Sequence, residues 1–86
     1  MKNYTKITAE DVKKDMSTIL QRYIGPKADV SYKKAARELE VEERTLGSWI
    51  RGEKCINVLA LIKLSLYLPT HFSLDVVKMI QRYKYK

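Results

Sequence analysis

Residues 31–52 read SYKKAARELEVEERTLGSWIRG. Ser31 is a favourable N-cap, because its hydroxyl can accept from a backbone N–H of the first helical turn. Behind it Tyr32, Ala35, Ala36 and Leu39 recur at the period of one helical face. The adjacent alanines imply that another helix comes close. A turn follows through Glu40 and Val41. A further helix is predicted over about 42–51, with Leu46, Trp49 and Ile50 on its apolar side, and Gly52 ends it. Two short helices joined by a tight turn, the second ending on glycine, form the centre of this chain.

The flanks read the same way. Thr8 and Asp11 stand in capping-box spacing, and Val12, Met16, Ile19, Leu20, Tyr23 and Ile24 follow on one face. They predict a helix over about 9–24, stopped by Gly25-Pro26. Asn57 can cap a helix over about 58–68, ahead of Pro69. That helix, VLALIKLSLYL, is apolar almost all round, a pattern expected of an element buried on more than one side. After PTH, which places His71 in a loop, Leu74, Val77, Ile80 and Tyr83 predict a last helix over about 73–84. The closing QRYKYK reads as a solvated tail or as a contact for nucleic-acid backbone. No strand-like alternation of any length occurs. The expected fold is all-α, about five helices in a single domain over 1–86.

Composition narrows the function. The 86 residues carry net charge +7, with 17 basic against 10 acidic groups, so an anionic partner is expected and nucleic acid comes first. Yet residues 31–54 hold six basic and five acidic groups, so the central motif is nearly neutral. One cysteine, Cys55, excludes an internal disulfide and reads as a small buried or boundary residue. MKNYTKITAEDVKKD has no apolar stretch after its lysines, which argues against a secretory leader, and INVLALIKLSLYL is too short to span a bilayer. A cytoplasmic protein without membrane contact is the expectation. One histidine and one cysteine without a partner pattern give no nucleophile and base, and neither a phosphate loop nor metal-ligand spacing is present. Hence no enzyme, cofactor, metal or small-molecule substrate is expected.

Residues 31–52, with the following INVLALIKLSLYLP, resemble the lambda-repressor-like (Cro/XRE) helix-turn-helix family in the joint placement of Ala36, Val41, Leu46, Trp49 and Gly52. The resemblance covers about 31–69, and the preceding helix fits the family's first. It implies a transcriptional regulator that binds double-stranded DNA with its third helix in the major groove. By position, Glu43, Arg44, Gly47 and Ser48 would meet base edges, while Ser31, Tyr32, Arg51 and Lys54 would meet phosphates. A homodimer on two half-sites is expected, because one such motif reads few base pairs. The over-apolar fourth helix and Leu74, Val77, Ile80 and Tyr83 on the fifth are the candidate dimer contacts. Two departures stand out. Glu40 occupies a turn where the family often has Gly, and Glu42 caps the recognition helix where Ser, Thr or Asn is usual.

Acid at the front of a DNA-reading helix has two readings. Glutamates in a first turn are favoured by the helix dipole, by about 0.3–1 kcal/mol each, whatever the ligand. Alternatively Glu43 accepts from cytosine N4 while Arg44 forks onto guanine, and the acid lowers non-specific affinity. Gly47 likewise is either tolerated drift or a surface for close approach to DNA. The competing functional class is a protein-binding module on the same scaffold, an inhibitor or adaptor of phage type, supported by the neutral motif and its acidic front.

Overall fold

The computed structural model describes residues 6–85; Met1–Thr5 of the N-terminal stretch and Lys86 of the closing one lie outside them. Five helices follow in order: α1 Ala9–Tyr23, α2 Tyr32–Leu39, α3 Glu43–Ile50, α4 Val58–Tyr67 and α5 Thr70–Lys84. Among the described residues the fold is all-α, with one isolated bridge between Ile24 and Val30 and no strand. Local chemistry starts most of these helices. Thr8 and Asp11 form the reciprocal capping box of α1. Ser31 accepts from the Lys34 N–H and Asn57 from the Ala60 N–H, at 3.2 and 2.8 Å.

The helices close on one core. Leu20 and Ile24 from the end of α1, Leu46 from α3, Leu64 from α4 and Phe72 from α5 are its largest fully buried side chains. Trp49, Ala35, Ala36 and Leu39 complete the wall between α2 and α3, with Val41 half-buried against it. α1 packs on α3 and α5, α2 on α3 and α4, and α4 on α5. Tyr23 meets Phe72 edge to face, ring centroids 5.6 Å apart. No helix among the described residues is long and apolar enough to cross a membrane.

The structure corrects four expectations. α5 begins at Thr70, so His71 is helical; Pro69, which has no N–H and needs none at a helix start, precedes the first turn and accepts from the Phe72 N–H at 2.9 Å. The core face of α5 is Phe72, Val76, Met79 and Tyr83, leaving Leu74, Val77 and Ile80 about half exposed. Tyr83 therefore belongs to the interior and not to a dimer strip, while α5 ends at Lys84 as expected, with Gln81, Arg82, Lys84 and Tyr85 exposed. α4 is buried on one side only, through Ala60 and Leu64; Val58, Leu59, Ile62 and Leu66 face solvent at 71, 63, 52 and 83% exposure. Cys55 is exposed.

Candidate nucleic-acid interface

The α2–α3 corner is built from backbone geometry that the residue types only half suggest. Glu40 adopts the left-handed conformation, φ 57°. This lets the Val41 N–H reach Ala36 O at 3.0 Å and its own N–H reach Arg37 O at 3.2 Å, the paired bonds of a Schellman helix end. The turn thus keeps the geometry that glycine would supply, on a residue with a Cβ. Lys63 of α4 lies 3.7 Å from the Glu40 carboxylate. Glu42 precedes α3 without a side-chain capping bond, so α3 owes its place to packing.

That packing is tight. Leu46, Trp49 and Ile50 are each under 5% exposed. The far end of α3 is tied to α1, where Ser17 Oγ and Gln21 Nε2 both donate to Ile50 O, at 2.5 and 3.1 Å. Gly52 at φ 77° closes α3 with the same bond pair seen after α2: Gly52 N–H to Trp49 O and Glu53 N–H to Ser48 O. A Cβ on Gly52 would stand 3.3 Å from Ser17 Cβ, so glycine serves both the turn and the approach of α1.

With its apolar side held, α3 presents a limited outer arc. At about 100° per residue, Glu43, Gly47 and Arg51 stack on one line with Arg44 beside them. Glu43 and Arg44 are exposed, and Arg44 has no ion pair among the described residues. Ser48 departs from its expected place at the base edge. It is 7% exposed, and its hydroxyl donates to Thr45 O at 2.6 Å, the back-bond that a helical serine makes when turned from solvent. Gly47 is covered too, but by Arg51: the guanidinium folds over it, and Nη1 lies 2.8 Å from where a Cβ would stand. Arg51 in turn meets Glu53, Nε to Oε2 at 2.8 Å and Nη2 to Oε1 at 3.3 Å. This pairing raises the Arg51 pKa and lowers that of Glu53.

The expected phosphate contacts divide. Tyr32 and Arg51 line one open groove with Gly25, Pro26 and Lys27, at the start of α2. Ser31 spends an acceptor on its cap, and Lys54 is exposed nearby in sequence to the Gly52 turn. Lys33, Lys34 and Arg37 on α2 are exposed and carry no ion pair among the described residues. Two residues of this surface escaped sequence reasoning. Lys27 sits in the loop that Gly25-Pro26 creates, and Glu53 follows the glycine that reverses the chain; in both cases the turn residue was the available signal.

No protein-family model, curated protein or solved structure matches the chain.

Proposed function

We propose that this protein is a sequence-specific double-stranded DNA-binding regulator of the lambda-repressor-like helix-turn-helix type, acting as a dimer. The observation that carries the reading is the presentation of α3: a helix held by Leu46, Trp49 and Ile50, with Glu43, Arg44 and Arg51 on its outer arc. Groove reading needs a rigid helix whose outward side chains are fixed in register. Lys27 shares a groove with Tyr32 and Arg51, and Lys33, Lys34 and Arg37 are exposed on α2, which packs on α3; with exposed Lys54 they are the cations available to a phosphate backbone. Glu43 then selects against phosphate and for a base-edge donor, which reduces non-specific binding.

A single α3 covers only a few base pairs, so two copies on half-sites about one helical turn apart supply specificity. The uncharged strip Val58, Leu59, Ile62 and Leu66 on α4 is the favoured contact between copies. Lacking like charges, it can face itself across a twofold axis on a chain of net charge +7.

Selection from a random duplex library at about physiological salt, with Arg44→Ala alongside, tests the reading. A palindromic motif that Arg44→Ala blurs is the expected result. Absence of enrichment overturns it in favour of the protein-binding module.

A further inference from the structure

We propose that Arg51 reads a base, guanine, rather than the phosphate backbone, that Glu53 is its positioning residue, and that Gly47 is the notch that admits it. This rests on the DNA-reading function proposed above. A guanidinium has two hydrogen-bonding edges. Glu53 occupies the edge formed by Nε and Nη2. The other edge, Nη1 with the remaining proton of Nη2, has no hydrogen bond among the described residues. It lies on the same line of α3 as Glu43, where Gly47 leaves no Cβ to displace it. Two parallel donors held in a plane match O6 and N7 of guanine in the major groove.

The carboxylate argues against a phosphate role. Glu53 beside Arg51 would bring an anion against the backbone, weakening the contact it accompanies. Aimed at a base edge, the same carboxylate fixes the orientation of a long, flexible side chain before DNA arrives and so lowers the ordering cost on binding. Its place is fixed by the chain: the left-handed Gly52 turn, bonded from the Glu53 N–H to Ser48 O at 2.9 Å, returns residue 53 to the side of residue 51. Gly47, a costly residue in a helix interior, is explained by the same arrangement, since an alanine there requires the guanidinium to move.

The test compares wild type, Arg51→Ala, Glu53→Gln and Gly47→Ala by selection from a random duplex library, then by affinity against salt on the recovered site and on its single-base variants. Arg51→Ala should remove the preference for guanine at one position of each half-site by about 10-fold or more, with the preferences at other positions unchanged. Glu53→Gln should blur the same position while leaving the salt dependence intact, and Gly47→Ala should do likewise with unimpaired thermal stability. Glu53 and Arg51 are exposed, so folded variants are expected, and a thermal melt of each confirms it. Suppose instead that Arg51→Ala weakens all sequences equally and lowers the salt slope by about one: Arg51 is then a phosphate contact and this inference falls, while DNA reading survives. A wild type that enriches no motif overturns both.

Discussion

Tyr83 donates its hydroxyl to Asp15 Oδ2 at 2.5 Å, across 68 residues of sequence. The bond seats the end of α5 on α1 and turns the ring inward, where it is 9% exposed. Burial, followed by the hydrogen bond to Asp15, pushes the phenol pKa well above its ordinary value. Asp75 makes a parallel tie further up the same seam, accepting from the Tyr23 hydroxyl at 2.7 Å and meeting Arg22 at 3.4 Å. α5 is thereby bound to α1 by polar bonds at its rim and by Phe72, Val76 and Met79 beneath.

Tyr83→Phe keeps the ring and removes the donor, leaving a partly buried carboxylate short of a partner. A loss of about 1–2 kcal/mol is expected in urea unfolding. The phenol's raised pKa also means that its contribution is present below about pH 10 and lost as pH rises through the folded value. Thermal melts from pH 8 upward should therefore show an alkaline decline that is smaller in Tyr83→Phe.

The Tyr23 hydroxyl, and then Arg22, hold the Asp75 carboxyl below the usual carboxylate value, against its desolvation. Its stabilising effect is therefore complete above about pH 5 and lost as pH falls through the lowered folded pKa. Unfolding midpoints should fall on acidification below about pH 4, and Asp75→Asn should show a shallower fall. Equal slopes for the two proteins would mean that other carboxylates carry the acid transition.

Glu40 holds a left-handed conformation at φ 57°, which costs a side-chain-bearing residue about 1–2 kcal/mol and glycine little. Glu40→Gly should raise stability by up to about 1 kcal/mol in urea, since the surrendered pair with Lys63 is long and exposed on the glutamate side. A lower midpoint would show that the carboxylate contributes more than the strain removes.

Leu66, at the C-terminal end of the apolar strip of α4, is its most exposed residue at 83%. Leu66→Glu would place two like charges at the proposed twofold contact and should convert the proposed dimer into a monomer by sedimentation equilibrium, with little change in the monomer's own helical content. Affinity for a palindromic site should fall much more than affinity for a half-site. A wild type that sediments as a monomer at tens of micromolar sinks the α4 contact itself.

Much of the fold was legible in short-range signals. Thr8 with Asp11, Ser31, Asn57, Gly25-Pro26, Gly52 and Pro69 each act within about one helical turn, so they mark helix ends wherever the chain goes. The spacing of Leu46 and Trp49 likewise placed the inner side of α3. The helices of α4 and α5 were different. Each carries two apolar strips, Ala60–Leu64 against Val58–Ile62–Leu66, and Phe72–Val76–Met79–Tyr83 against Leu74–Val77–Ile80. Periodicity cannot choose between strips of equal apolarity, and only contact with α1 and α2 does so.

The sequence by itself determined that the chain is helical, where most helices start and stop, and that a short hairpin at residues 31–52 stands at its centre. Tertiary structure alone decided that Tyr83 and Ser48 turn inward and that Arg51 lies across Gly47 toward Glu53. The reason is one of range. Caps and turns are settled by bonds to the nearest backbone, whereas the direction of a side chain depends on which neighbours the packed helices bring to it.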